Sequence, residues 1–99
     1  MEIKSFQKKI EDIYFKKDSS RGLDRTYLWF AEECGELAEA VRKRDKKEFE
    51  NEAADVLAWL ATLSSIMGVD LEAAALKKYG AGCPRCKTVP CACSEKKSD

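Results

Sequence analysis

A chain of 99 residues has room for one domain and sits near the lower size at which a single core is self-sufficient, so a partner subunit or a metal is expected to add stability. Its 18 basic residues are balanced by 18 acidic ones, which excludes the global positive field that gathers nucleic acid polymers or coats an anionic membrane surface. No apolar run approaches the ~18 residues of a membrane span, and the start MEIKSFQKKIEDIYF lacks a signal-peptide core, so a cytoplasmic location and no membrane partner are expected.

In chain order, Phe6, Ile10, Ile13 and Tyr14 recur at helical spacing behind Ser5, a capping residue type, which predicts a first helix over about 4–17. The segment KDSSRG interrupts the pattern. Asp24 is the candidate cap of a second helix, whose stripe Tyr27, Phe30, Ala31, Cys34, Leu37, Ala38 and Val41 reads as core. After RDKK, Asp45 with Glu48 three residues on resembles a capping box. The third helix it opens carries the stripe Phe49, Ala53, Val56, Leu57, Leu60, Ser64 and Met67 and closes at Gly68, which suits a left-handed cap. Asp70 opens a short fourth helix, LEAAALKKY, ended by Gly80. No alternating strand pattern occurs before the cysteines. The expected fold is therefore all-α, an antiparallel bundle of about four helices over residues 1–80, followed by a cysteine module at 81–93 and a disordered tail at 94–99.

Two acidic pairs stand out. Glu33 and Glu36 are one turn apart on the second helix, and Glu52 and Asp55 one turn apart on the third, each pair off the main apolar stripe. In a helical hairpin, residues at one level are equidistant from the turn. The pairs 33/55, 36/52 and 29/59 are all centred on residue 44, inside the predicted break, so four carboxylates should meet with Trp29 and Trp59 at one end of the cluster. Two carboxylates ~6 Å apart repel by roughly 3 kcal/mol at an effective dielectric near 20. A hard divalent cation such as Mg²⁺ or Mn²⁺, which takes oxygen ligands and bridges to phosphates, offsets that cost, and a neighbouring tryptophan offers a flat wall for a nucleobase. The plainer alternative, surface salt bridges with lysines and tryptophans in the core, does not require the shared midpoint.

CPRCKTVPCAC holds four cysteines within eleven residues as C-x-x-C and C-x-C, between turn-favouring prolines. Cys83, Cys86, Cys91 and Cys93 fit a small tetrahedral zinc knuckle, with disulfides or loose thiols as the alternatives. Four thiolates with no open position make such a zinc structural. Cys34, on the apolar stripe, reads as a buried thiol. The chain has no histidine, so neither a histidine ligand nor a histidine base is available.

EECGE followed by ENEAAD resembles the E-E-x-x-E and E-x-x-D pattern of the MazG-like nucleoside triphosphate pyrophosphohydrolases, an all-α superfamily that includes dimeric dUTPases. The resemblance runs from about KDSSRG through LKKY. It implies Mg²⁺-dependent cleavage of a nucleoside triphosphate between the α and β phosphates, with Glu33, Glu36, Glu52 and Asp55 as metal ligands and Glu32, or else Glu33, orienting or deprotonating the attacking water. It also implies phosphate contact by Lys78, a base wall at Trp59, and assembly into dimers or tetramers; Trp29 and Arg21 are further substrate-binding candidates. Relatives continue after the lysine with an asparagine and a basic residue, whereas KKYGAGCPRCK turns into cysteines here, leaving Arg85 or Lys87 to substitute. A reading from another class is a non-enzymatic module whose zinc knuckle grips a partner on a helical oligomer.

Overall fold

The computed structural model describes residues 2–94, which form four helices and, among the described residues, no strand: α1 (Ile3–Arg21), α2 (Leu23–Lys43), α3 (Lys46–Ile66) and α4 (Leu71–Tyr79). The expected tail lies outside the described residues apart from Ser94. The all-α expectation therefore holds, and no single described helix is long and apolar enough to cross a membrane.

The first helix departs from expectation. KDSSR is helical, so α1 runs to Arg21 rather than stopping near residue 17. The polar residues that read as a break turn inward: Asp18 is buried, accepting from Arg21 Nη1 at 2.9 Å and from Thr62 Oγ1 on α3 at 3.2 Å. Gly22 ends the helix at φ 85°, a conformation that suits glycine, and is also the N-terminal cap of α2. Asp24 thus does not cap α2; it lies within the first turn, where its charge favours the helix dipole.

The two remaining junctions follow the sequence closely. Arg44 adopts a left-handed conformation at φ 58°, Asp45 N–H reaches back to Ala40 O at 3.2 Å, and the Asp45 side chain accepts from Glu48 N at 3.0 Å. This closed C-cap followed at once by an N-cap makes α2 and α3 an antiparallel hairpin. Gly68, at φ 72°, plays the same part after α3, with Val69 N donating to Ser64 O at 2.8 Å, and Asp70 caps α4 by accepting from Ala73 N at 3.0 Å.

α1 lies along α3 and touches α4. Gln7 pins that corner, donating to Ser65 Oγ at 3.1 Å and Val69 O at 2.8 Å while accepting from Leu71 N at 2.9 Å. The buried apolar core of one chain is small, with Ile10, Ala40 and Ala61 at its centre. The stripes read as core are only partly covered: Ile13, Tyr14, Tyr27, Val41, Phe49, Leu57 and Met67 are exposed, and Cys34 is half-buried. Within one chain α2 packs chiefly on α3, which covers only one side of it.

Candidate active site and cysteine cluster

The tight turn at Arg44–Asp45 sets the register of α2 against α3, and that register brings Glu33, Glu36 and Glu52 together, one oxygen of each lying within 4.8 Å of the others. Glu52 is buried and Glu33 half-buried, and the Oε1 atom of each is sealed from solvent with no hydrogen-bond partner. Burial first, then the charges of Glu36, Asp55 and Glu52, push Glu33 up to about 7. Glu36, exposed, is raised chiefly by the charge of Glu52. Asp55 stands outside the three-oxygen cluster, yet its charge acts on both Glu33 and Glu36.

Salt bridges do not relieve this charge. Among the described residues the ion pairs join Lys4 to Asp70, Lys8 to Asp12, Arg21 to Asp18 and Arg42 to Glu39, and none reaches the four carboxylates. Buried acceptors lacking any donor, converging with like charges, fit a hard divalent cation held by oxygen ligands.

Beside the carboxylates runs a groove of about 250 Å³ whose lining includes Asp55, Trp59, Arg21, Tyr14 and Lys17. The Arg21 guanidinium carbon lies 4.9 Å from the Trp59 ring centroid, within cation–π range. Arg21 is therefore not the solvated loop residue its sequence context suggests. It belongs to the last turn of α1, with its side chain 17% exposed. Trp29, half exposed, lines a second depression with Lys16, Lys17, Ser20, Arg21 and Arg25, so Arg21 and Lys17 border both hollows. Glu32 is exposed on α2 and does not join the converging oxygens.

Lys78 is placed elsewhere. It sits 5.7 Å from the Tyr79 ring centroid and, with Arg85 and the cysteine loop, lines a cavity of about 870 Å³ that no site carboxylate borders. Tyr14, Lys17, Asp18 and Thr62 are groove residues that sequence reasoning missed. The signal for two of them was available, since Tyr14 and Lys17 lie one turn apart on the predicted first helix, but it links them to Arg21 only if α1 continues through KDSSR.

The cysteine module closes on itself. Cys83 N donates to Thr88 O at 3.1 Å and Lys87 N to Cys83 O at 2.7 Å, wrapping the chain so that all four sulfurs lie within 4.8 Å of one another. The Sγ separations are 3.7 Å for Cys83–Cys93 and 3.6 Å for Cys91–Cys83, and the thiols are not joined as disulfides. A tetrahedron with metal–sulfur bonds of about 2.3 Å has edges of about 3.8 Å. Ala92 N donates to Cys86 Sγ at 3.2 Å. The Thr88 hydroxyl and then that amide pull the Cys86 thiol down to about 6, while crowding by Cys91 and Cys83 pushes Cys93 up to about 12. Like charge cannot accumulate on four adjacent sulfurs without a countercharge, so the donor set fits a soft, four-coordinate cation.

The family model described as MazG nucleotide pyrophosphohydrolase domain matches residues 21–87, from the last residue of α1 into the cysteine loop. No curated protein matches the chain.

Proposed function

The chain belongs to the MazG nucleotide pyrophosphohydrolase family, and from that premise we propose that it hydrolyses nucleoside triphosphates at the α–β bond, releasing a monophosphate and pyrophosphate. The observation that carries the reading is the convergence of Glu33, Glu36 and Glu52 with two buried, unpartnered oxygens. With Asp55, these residues would hold Mg²⁺ or Mn²⁺. When bound, the cation neutralises phosphate charge and makes water a better nucleophile.

The remaining work falls to the chain's own side chains. Glu32, exposed on α2 beside the converging oxygens, would orient or deprotonate the attacking water, with Glu33 as the alternative acceptor. Trp59 supplies a wall for the base next to Asp55, with Trp29 bordering the adjoining hollow. Arg21 and Lys17 place positive charge between those hollows, where a triphosphate leaving the carboxylates would run. Lys78 lines a different cavity in one chain, so in this reading its phosphate contact comes from a second subunit. A dimer or tetramer would also cover the exposed Tyr27, Leu28 and Val41. The four cysteines would hold a structural Zn²⁺ that adds folding free energy to a small domain.

Pyrophosphate release from a panel of ribo- and deoxynucleoside triphosphates, with Mg²⁺, with Mn²⁺ and with chelator, tests the proposal. The expected result is metal-dependent release of pyrophosphate together with a monophosphate. Release of orthophosphate alone, or no turnover of any triphosphate, overturns it.

A further inference from the structure

Asp18 is a buried acid that the chemistry above does not use, and it lies upstream of the family match. It accepts from Arg21 Nη1 at 2.9 Å and from Thr62 Oγ1 at 3.2 Å. The same Arg21 Nη1 also donates to Thr26 Oγ1 at 3.2 Å, and the fully buried Thr26 in turn donates to Gly22 O at 2.6 Å. The two hydrogens of Nη1 are thus both spent inside the protein.

A guanidinium carries five N–H donors, and the other three belong to Nε and Nη2. Among the described residues neither atom has a protein acceptor, and neither is sealed from solvent. Nε and Nη2 together form the edge that binds carboxylate or phosphate oxygens in a bidentate manner. Arg21 lines the groove that contains Asp55, and its side chain cannot swing freely, being tied on one edge and laid over Trp59.

We infer that Asp18 is a positioning residue that, with Thr26 and Thr62, holds Arg21 so that its Nε–Nη2 edge presents a bidentate site to a phosphate of the nucleotide in the Asp55–Trp59 groove. The inference rests on the proposed nucleotide chemistry for the identity of the anion. Ordering of the arginine before the ligand arrives lowers the entropy cost of binding. A merely structural Asp18–Arg21 pair would stabilise the α1–α3 packing and leave anion affinity unchanged.

The test is calorimetric binding of inorganic pyrophosphate and of a non-hydrolysable α,β-imido nucleoside triphosphate to the full chain with Mg²⁺, alongside kcat and KM. Three variants are compared: Arg21→Lys, which keeps the charge but loses the fork; Asp18→Asn; and Thr62→Val, a milder change that loosens Asp18 without altering charge. Loss of a bidentate charge-assisted contact is expected to weaken both probes and raise KM by about 10- to 100-fold in Arg21→Lys. Asp18→Asn and Thr62→Val should weaken them by about tenfold and about threefold, with kcat changed less than KM. Should Asp18→Asn fail to fold, Thr62→Val and Arg21→Lys decide alone. Probe affinity equal to wild type in folded Arg21→Lys and Thr62→Val overturns the inference even if turnover is confirmed. Absent turnover with probe binding that is still lost in Arg21→Lys would instead overturn the reaction and leave the anion site standing.

Discussion

Replacing Glu33 by Gln should make the metal-free protein more stable, although it removes a residue from the proposed active site. Glu33, Glu36 and Glu52 have oxygens within 4.8 Å of one another, and at that separation each charged pair repels by about 3 kcal/mol at an effective dielectric near 20. Glu36 is exposed, and water screens its share, leaving a net penalty of about 1–3 kcal/mol for ionising Glu33 in the folded state. Because the folded state holds the Glu33 proton up to about 7, the native protein binds more protons than the unfolded chain between the ordinary carboxylate range and neutrality, so this group makes stability fall as pH rises through that window. Glu33→Gln removes the slope. Thermal unfolding at pH 8 in chelator should show the variant melting higher, by about 4–15 °C if about 1–3 kcal/mol is recovered in a domain of this size. Adding Mg²⁺ at a hundredfold excess over Kd should stabilise the wild type by about 2.7 kcal/mol and so raise its melting temperature, and should leave Glu33→Gln nearly unmoved. A variant that melts at or below wild type in chelator, or that responds equally to Mg²⁺, refutes the account of the carboxylate cluster as a charge-strained metal site.

Mg²⁺ affinity, followed by calorimetry, should weaken by up to about tenfold between pH 8 and pH 6, because the cation must displace the Glu33 proton held up to about 7; a flat profile counts against Glu33 as a ligand. Trp59→Ala should raise KM for triphosphates by about 10-fold with a smaller effect on kcat, as expected for loss of a stacking wall worth about 1–2 kcal/mol, and an unchanged KM would remove Trp59 from the pocket. Zinc analysis of protein purified without chelator should give one ion per chain, and Cys86→Ser should abolish it and lower the melting temperature while leaving Mg²⁺ binding at the carboxylates in place. Asp45→Ala removes the acceptor of the Glu48 amide and should cost about 1 kcal/mol in urea unfolding; a neutral result would mean the turn does not depend on that cap.

The hairpin was readable because its determinants are local. Asp45 and Gly68 act through bonds spanning a few residues, and the shared midpoint of Glu33 with Asp55 and of Glu36 with Glu52 is a property of spacing alone. Helical periodicity also revealed which residues of α3 share a face. The end of α1 was not readable, since Asp18 to Arg21 have the composition of a turn and become helical by spending Asp18 and Arg21 on partners distant in sequence, Thr62 and Trp59. Tyr14 and Lys17 were legible as helical, but their place in the groove depends on Arg21 continuing the same face one turn further on. Apolar stripes gave the correct helices but overstated burial: a periodic face such as that of Tyr27 and Val41 marks a surface to be covered, without stating whether the same chain covers it.

The hairpin turn at Arg44 and Asp45 has a consequence for how the site comes into being. All four acidic residues fall between positions 33 and 55, on two helices joined directly, so the cluster has low contact order and its closure entropy is that of a short loop. Its like charges oppose closure, so a cation held there would take part in the last stage of folding. One inserted residue in the turn would rotate α3 by about 100° relative to α2 and carry Glu52 away from Glu33. Changes beyond α4 meet no such constraint, and the cysteine loop lies outside the spacing on which the carboxylates depend.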